Sequence, residues 1–178
     1  MKLLGAIIAG GGSRRFGGDK ASALLGGKAL IDHVADALRP QVDALIVSGR
    51  EWPGLNAVPD HPAPDMGPLG GLCGLLDYAA QHHYDAVLTA GCDVLPVPDL
   101  RALVGPTASV IKNKWLFGFW PAALFDKLDH HLAAQNDRSM RYWIAVSGAR
   151  EVPCEIEFHN INTPADFALY AEAQGLAV

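Results

Sequence analysis

The sequence predicts a single α/β domain built on a mostly parallel sheet flanked by helices. Three observations predict it. Continuous apolar runs at Leu3–Ala9, Val42–Ser48 and Ala86–Ala90 read as strands buried on both faces. A helical pattern stands between each consecutive pair, and strand–helix–strand alternation is the signature of a parallel sheet with helices on its faces. At 178 residues the chain has the length of one ordinary domain.

The elements follow in order. Leu3–Ala9 runs straight into Gly10-Gly11-Gly12, which ends it. Gly10–Gly27 is a loop by composition. From Ala29, the residues Leu30, Val34, Ala37 and Leu38 recur at helical spacing until Pro40 stops them. Val42–Ser48 closes at Gly49. Pro53–Pro68 carries five of the twelve prolines and reads as irregular. Leu72, Leu75, Leu76 and Ala79 then place a helix over Leu69–His82. Ala86–Ala90 ends in Gly91-Cys92-Asp93. Shorter strands are expected at Ala108–Ile111, Trp115–Trp120 and near Val152. Helices are expected at about Ala122–Ala134 and Ser139–Val146, and a last one from Thr163 or Pro164. Thr163 suits an N-cap, with Pro164 in the first turn. No repeat, linker or low-complexity tract divides the chain, so residues 1–178 form one unit.

Composition narrows the class. Half the residues are hydrophobic and 19% are charged, which suits a folded core. A net charge of −5 argues against a nucleic-acid binder. Residues 1–31 nevertheless carry a net charge of +4, and the remainder −9. A basic, glycine-rich head on an acidic body points to a local anion site. Cys73, Cys92 and Cys154 show no C-x-x-C and no metal-ligand spacing, which argues against a disulfide framework or a zinc site. The first apolar run is too short for a signal-peptide core, and no run reaches a membrane span. These features predict a cytoplasmic protein that binds no membrane.

The chemistry should lie beyond the carboxyl ends of the strands. Gly10-Gly11-Gly12-Ser13-Arg14-Arg15-Phe16-Gly17-Gly18-Asp19-Lys20 follows the first strand. Glycines let backbone N–H groups ring a phosphate, and Arg14, Arg15 and Lys20 add charge. The alternative is a basic surface turn. The dinucleotide fingerprint is excluded because Arg15 stands where its third glycine belongs, and Gly27-Lys28-Ala29 is not a P-loop. Asp93, just past the third strand, could hold Mg²⁺, which takes its other ligands from phosphates and water. A helix N-cap is the competing role, and the neighbouring glycine loop favours the metal. His82-His83 and His130-His131 are adjacent pairs that should be solvated. Trp115, Phe117, Phe119, Trp120, Tyr142 and Trp143 should be core or pocket wall. No Ser/His/Asp arrangement stands out.

These residues carry a family resemblance. Ile8–Lys20 resembles the L-A-G-G-x-S-x-R-M-G-x-D-K signature of nucleotidyltransferases with the GT-A-like, Rossmann-like α/β fold, with Phe16 in place of Met. Gly67-Pro68-Leu69-Gly70-Gly71 resembles G-P-L-A-G. Cys92-Asp93-Val94-Leu95-Pro96 resembles the C-D-x-P metal motif with one residue extra. Asn160-Ile161-Asn162-Thr163-Pro164 resembles N-[VI]-N-T-P. Their order and spacing, over nearly the whole chain, resemble the molybdenum cofactor guanylyltransferase (MobA-type) family.

The resemblance implies transfer of GMP from GTP to the phosphate of molybdopterin, with release of pyrophosphate and use of Mg²⁺. It implies nucleotide contacts from Ile8, Ala9, Gly10, Gly11, Gly12, Lys20, Ser48, Asp60 and Asp93. Lys20, Asp93 and Arg15 would be catalytic, with Asp93 on the metal. Arg138, Arg141, Asn160 and Asn162 would face the acceptor. Arg138 and Arg141, three apart, would share a face if helical, and Asn160 and Asn162 would share one if extended. Residues 1–105 would form the nucleotide part and 106–178 the acceptor part. Molybdoenzymes or their chaperones would receive the product. Rival readings are the same catalyst with another nucleotide or acceptor, such as a molybdopterin cytidylyltransferase or sugar-phosphate nucleotidyltransferase, and a non-catalytic GTP- or cofactor-binding protein.

Overall fold

The computed structural model describes residues 1–10, 16–134 and 137–177. Strand β1 (Leu3–Ile8) is followed by a short hairpin, β2 (Leu24–Leu25) and β3 (Lys28–Ala29), and by helix α1 (Leu30–Leu38). Next come β4 (Ala44–Ser48), β5 (Asn56–Val58), α2 (Gly67–Gln81), β6 (Ala86–Gly91) and β7 (Val94–Leu95). The second half holds β8 (Ser109–Ile111), β9 (Lys114–Pro121), α3 (Phe125–Ala133), α4 (Met140–Ser147), β10 (Arg150–Val152), β11 (His159–Asn160) and α5 (Pro164–Ala173).

Seven strands form one sheet in the order β10-β8-β9-β6-β1-β4-β5. β9 alone runs against the rest, pairing antiparallel with both β6 and β8, so the sheet is mostly parallel as the sequence predicts. Side chains alternate across β1. Leu3 and Ile7 pack with α1 and α5 residues such as Leu30, Val34 and Phe167. Leu4, Ala6 and Ile8 pack on the other face with α2, α3 and α4, through Leu72, Leu128 and Trp143. Each face is covered, which is why β1 and β6 are buried along their full length. Truncating a fully buried leucine such as Leu72 to alanine costs on the order of 2–5 kcal/mol.

Local sequence explains most boundaries. α2 starts two residues earlier than its apolar spacing suggests, because Pro68 in the first turn needs no N–H partner. Thr163 caps α5 in a full capping box, its Oγ1 accepting from the Asp166 N–H at 3.1 Å. Ser139 caps α4 by a single bond, its Oγ accepting from the Tyr142 N–H. The Pro53–Pro68 segment departs from expectation: it contains β5, which extends the sheet beside β4. Three residues between turns carry too little periodicity to be read as a strand. The β7–β11 pair, two residues each, is likewise invisible in the pattern.

His131 corrects the solvated-pair reading. It is buried, stacked against Tyr142 at 5.5 Å, and its Nε2–H donates to the Asp137 carbonyl at 2.9 Å. A pair on a helix splits between faces, and α3 turns the second histidine inward.

Candidate active site

Strand register builds the site. Ile8 pairs with Ser48 on one side and with Gly91 on the other, and Ser48 pairs with Val58. Four carboxyl ends therefore form one row across the sheet. The residues just beyond them are Asp60, Gly49-Arg50, Ala9-Gly10 and Cys92-Asp93, brought side by side from distant parts of the chain. The antiparallel β9 starts at this same edge, which places Lys114 and Trp115 beside Asp93.

Two of these ends touch directly. The Ala9 N–H donates to the Ser48 carbonyl at 2.9 Å. Gly49 has φ +86°, and a Cβ there would lie 2.3 Å from the Gly10 Cα. Only glycine lets the two backbones meet so closely. Beside them opens a cavity of about 480 Å³ lined by Ile8, Gly10, Ser48, Asp60, Pro68 and Gly71, among others. The Ser48 hydroxyl is buried with no hydrogen-bond partner among the described residues. Asp60 accepts from the Met66 N–H, and its burial raises its carboxyl above the ordinary range. Gly11, Gly12 and Arg15 lie outside the described residues.

A second cavity, of about 230 Å³, is lined by Gly91, Asp93, Lys114, Trp115, Asn160 and, again, Pro68, among others. Asp93 is no N-cap, because the chain after it forms β7 rather than a helix. Its Oδ1 is buried and unpartnered among the described residues. An isolated buried carboxylate oxygen is costly, and a cation would satisfy it. Space is kept for one: a Cβ on Gly91 would sit 2.6 Å from that oxygen. Cys92, next to it, has its thiol pushed up to about 12 by burial, which makes it a poor nucleophile.

The C-terminal motif lies along this site. β11 pairs with β7, and the Ile161 N–H donates to the Asp93 carbonyl at 2.8 Å. Asn160 Oδ1 accepts from Lys114 Nζ at 2.6 Å. Lys20 reaches the same segment, its Nζ donating to the Ile161 carbonyl at 2.7 Å. Asn160 lines this cavity and Asn162 does not, and the Asn162 N–H donates to the Asp166 carboxylate in the α5 cap at 3.0 Å.

Arg138 and Arg141 do not share a helix face. Arg138 precedes the Ser139 cap and is exposed, whereas Arg141 lies in α4. Arg141 lines a wider cavity of about 710 Å³ with Asn113, Trp115 and Glu151, among others. Asn113 and Trp115 also line the Asp93 cavity.

Sequence reasoning missed Arg50. Its guanidinium donates two bonds to the Asp19 carboxylate, at 2.6 and 2.5 Å. This pairing holds Asp19 down to about 2 and ties the end of the glycine loop to the end of β4. An arginine two residues past a strand end was the available signal.

Residues 5–151 match the model of the MobA-like NTP transferase domain. The chain is 39% identical to a molybdenum cofactor guanylyltransferase of Cereibacter sphaeroides, over 94% of this chain and 95% of that one. It is 33% identical to the protein of that name from Rhodobacter capsulatus, over 94% of each. Among solved structures, molybdopterin-guanine dinucleotide biosynthesis protein A of Archaeoglobus fulgidus is similar, with TM-score 0.75, 22% identity and coverage of 97% and 98%. A putative glucose-1-phosphate thymidylyltransferase of Bacillus anthracis shares the fold, with TM-score 0.72, 14% identity and coverage of 97% and 94%.

Proposed function

We infer that this chain, which belongs to the MobA-like NTP transferase family, transfers GMP from GTP to molybdopterin and releases pyrophosphate. The observation that carries the reading is the pair of cavities meeting at Pro68. One offers backbone groups, Ser48 and Asp60 to a nucleoside triphosphate. The other offers Lys114 and Asn160 to an anionic acceptor and Asp93 to a divalent cation.

In the reaction, an oxygen of the molybdopterin phosphate forms a bond to the α-phosphorus, and the bond to the β-phosphate oxygen breaks. Such transfer needs positioning and charge neutralisation rather than a covalent enzyme group. The Asp60 carboxylate suits the N–H edge of guanine. Lys20 neutralises phosphate charge and Arg15 joins it, while Gly10, Gly11 and Gly12 would offer backbone N–H groups and Ile8 and Ala9 would border the nucleotide. Asp93 fits a divalent cation, taken here as Mg²⁺, through its unpartnered Oδ1. When bound, that ion would offset negative charge on the phosphates. Asn160 and Arg141 orient the acceptor from residues 106–178, with Arg138 and Asn162 at the margin. Residues 1–105 hold the donor. The product would pass to molybdoenzymes or their chaperones.

The deciding experiment incubates the protein with Mg²⁺, molybdopterin and each of GTP, CTP and ATP. We expect pyrophosphate release and dinucleotide formation with GTP above the others. Equal or better turnover with CTP overturns the base assignment, and turnover with a sugar phosphate but not molybdopterin overturns the acceptor.

A further inference from the structure

We propose that His61, Cys73 and Asp129 form a binding site for a thiophilic divalent cation of the zinc class, separate from Asp93. Their ligand atoms, one nitrogen, one sulfur and one carboxylate oxygen, all lie within 4.8 Å of one another. No sequence spacing could announce the cluster. Its members come from the loop after β5, from α2 and from α3, which only the fold brings together.

Donor chemistry selects the ion. A mixed N, S, O set suits Zn²⁺, whereas Mg²⁺ and Ca²⁺ take oxygen. His61 Nε2 and Asp129 Oδ1 are 3.1 Å apart. That is close to the roughly 3.3 Å edge of a tetrahedron with zinc–ligand bonds of about 2.0–2.1 Å. The remaining separations close with side-chain shifts of about 1 Å, given a zinc–sulfur bond of about 2.3 Å. Thiolate and carboxylate together balance a dication, and the thiol proton leaves to solvent on binding.

The ligands are held in place independently of a metal. The His61 N–H donates to the Gly70 carbonyl at 3.1 Å, and Phe125 packs against the His61 ring at 5.5 Å. Cys73 is fully buried, while His61 and Asp129 are partly exposed. A cavity of about 220 Å³, lined by His61, Gly74 and Asp77 among others, opens beside the cluster. It supplies an entry path, with Asp77 as a further negative charge, and room for a water as fourth ligand. His61 adjoins Asp60, so a cation here would pin the backbone beside the first cavity.

The test is titration of the full-length, metal-free protein with Co²⁺ as a spectroscopic stand-in for Zn²⁺. We expect one equivalent to bind with a thiolate-to-cobalt charge-transfer band, displaced by Zn²⁺ and unaffected by Mg²⁺. Cys73→Ala should abolish the band. His61→Ala, at a partly exposed position that leaves the core intact, should weaken Co²⁺ binding at least about tenfold, the loss typical even of supporting partners. Absence of the band in the native protein, or its survival in Cys73→Ala, overturns the proposal. Loss in Cys92→Ala instead does so too, by placing the ion beside Asp93.

Discussion

Lys20 Nζ donates to the Ile161 carbonyl oxygen at 2.7 Å, joining the end of the glycine-rich loop to the C-terminal motif 141 positions away. The Ile161 N–H in turn donates to the Asp93 carbonyl. The backbone of Ile161 therefore touches Lys20 and Asp93, two of the three residues proposed as catalytic. The lysine ammonium is held at the site by a neutral carbonyl, which a phosphate outcompetes.

Replacing Lys20 by alanine should lower turnover at least about a hundredfold, the scale for one preorganised electrostatic group. The thermal midpoint should change little, because the lost bond is to a single carbonyl at a partly exposed position. Single-turnover GMP transfer and a melting curve separate the two effects. Native-like turnover would remove Lys20 from the catalytic set.

Asp93→Asn should also cut turnover at least about a hundredfold. Its stability should be equal to or above that of the native protein, since the change removes a buried, unpartnered negative charge. Raising Mg²⁺ should recover part of the activity. Full activity at ordinary Mg²⁺ would refute the metal role.

The two asparagines should behave differently. Asn160 lines the Asp93 cavity and accepts from Lys114. Asn160→Ala should therefore raise the KM for molybdopterin while GTP binding stays near native. Asn162→Ala should affect acceptor use less, because Asn162 does not line that cavity. The reverse order in acceptor titrations would show that the segment reorganises when the acceptor binds.

The Asp19–Arg50 pair sets a pH dependence. Asp19 lies near 2 in the folded protein against 3.8 ordinarily, owing first to its bonds from Arg50. A carboxyl lowered by folding stabilises the fold above its unfolded value, and that contribution is lost as pH falls through the folded one. The stability of native and Asp19→Asn proteins should differ at neutral pH and converge between about pH 4 and pH 2. Exposure of the pair keeps the gap small and salt-sensitive. Denaturant midpoints across that range would measure it, and a constant gap would contradict the pairing.

Local patterning alone marks the sheet's parallel core and the residues that line the first cavity. Leu3–Ile8 and Ala86–Gly91 are buried throughout and Ala44–Ser48 over its last three residues, and their apolar continuity is a local property, readable without the fold. Thr163 and Pro164 likewise carry their capping chemistry in adjacent residues. Ile8, Gly10, Ser48 and Asp60, named from motif positions, meet in one cavity because strand register aligns the carboxyl ends. How non-local partners combine emerges with the fold. It removed Arg138 from the helix of Arg141, set Asn160 but not Asn162 on the Asp93 cavity, buried His131 and paired Arg50 with Asp19. It also gathered His61, Cys73 and Asp129 from three elements. Such contacts depend on where a chain turns back on itself. That is set by packing summed over the whole core rather than by the few residues that meet.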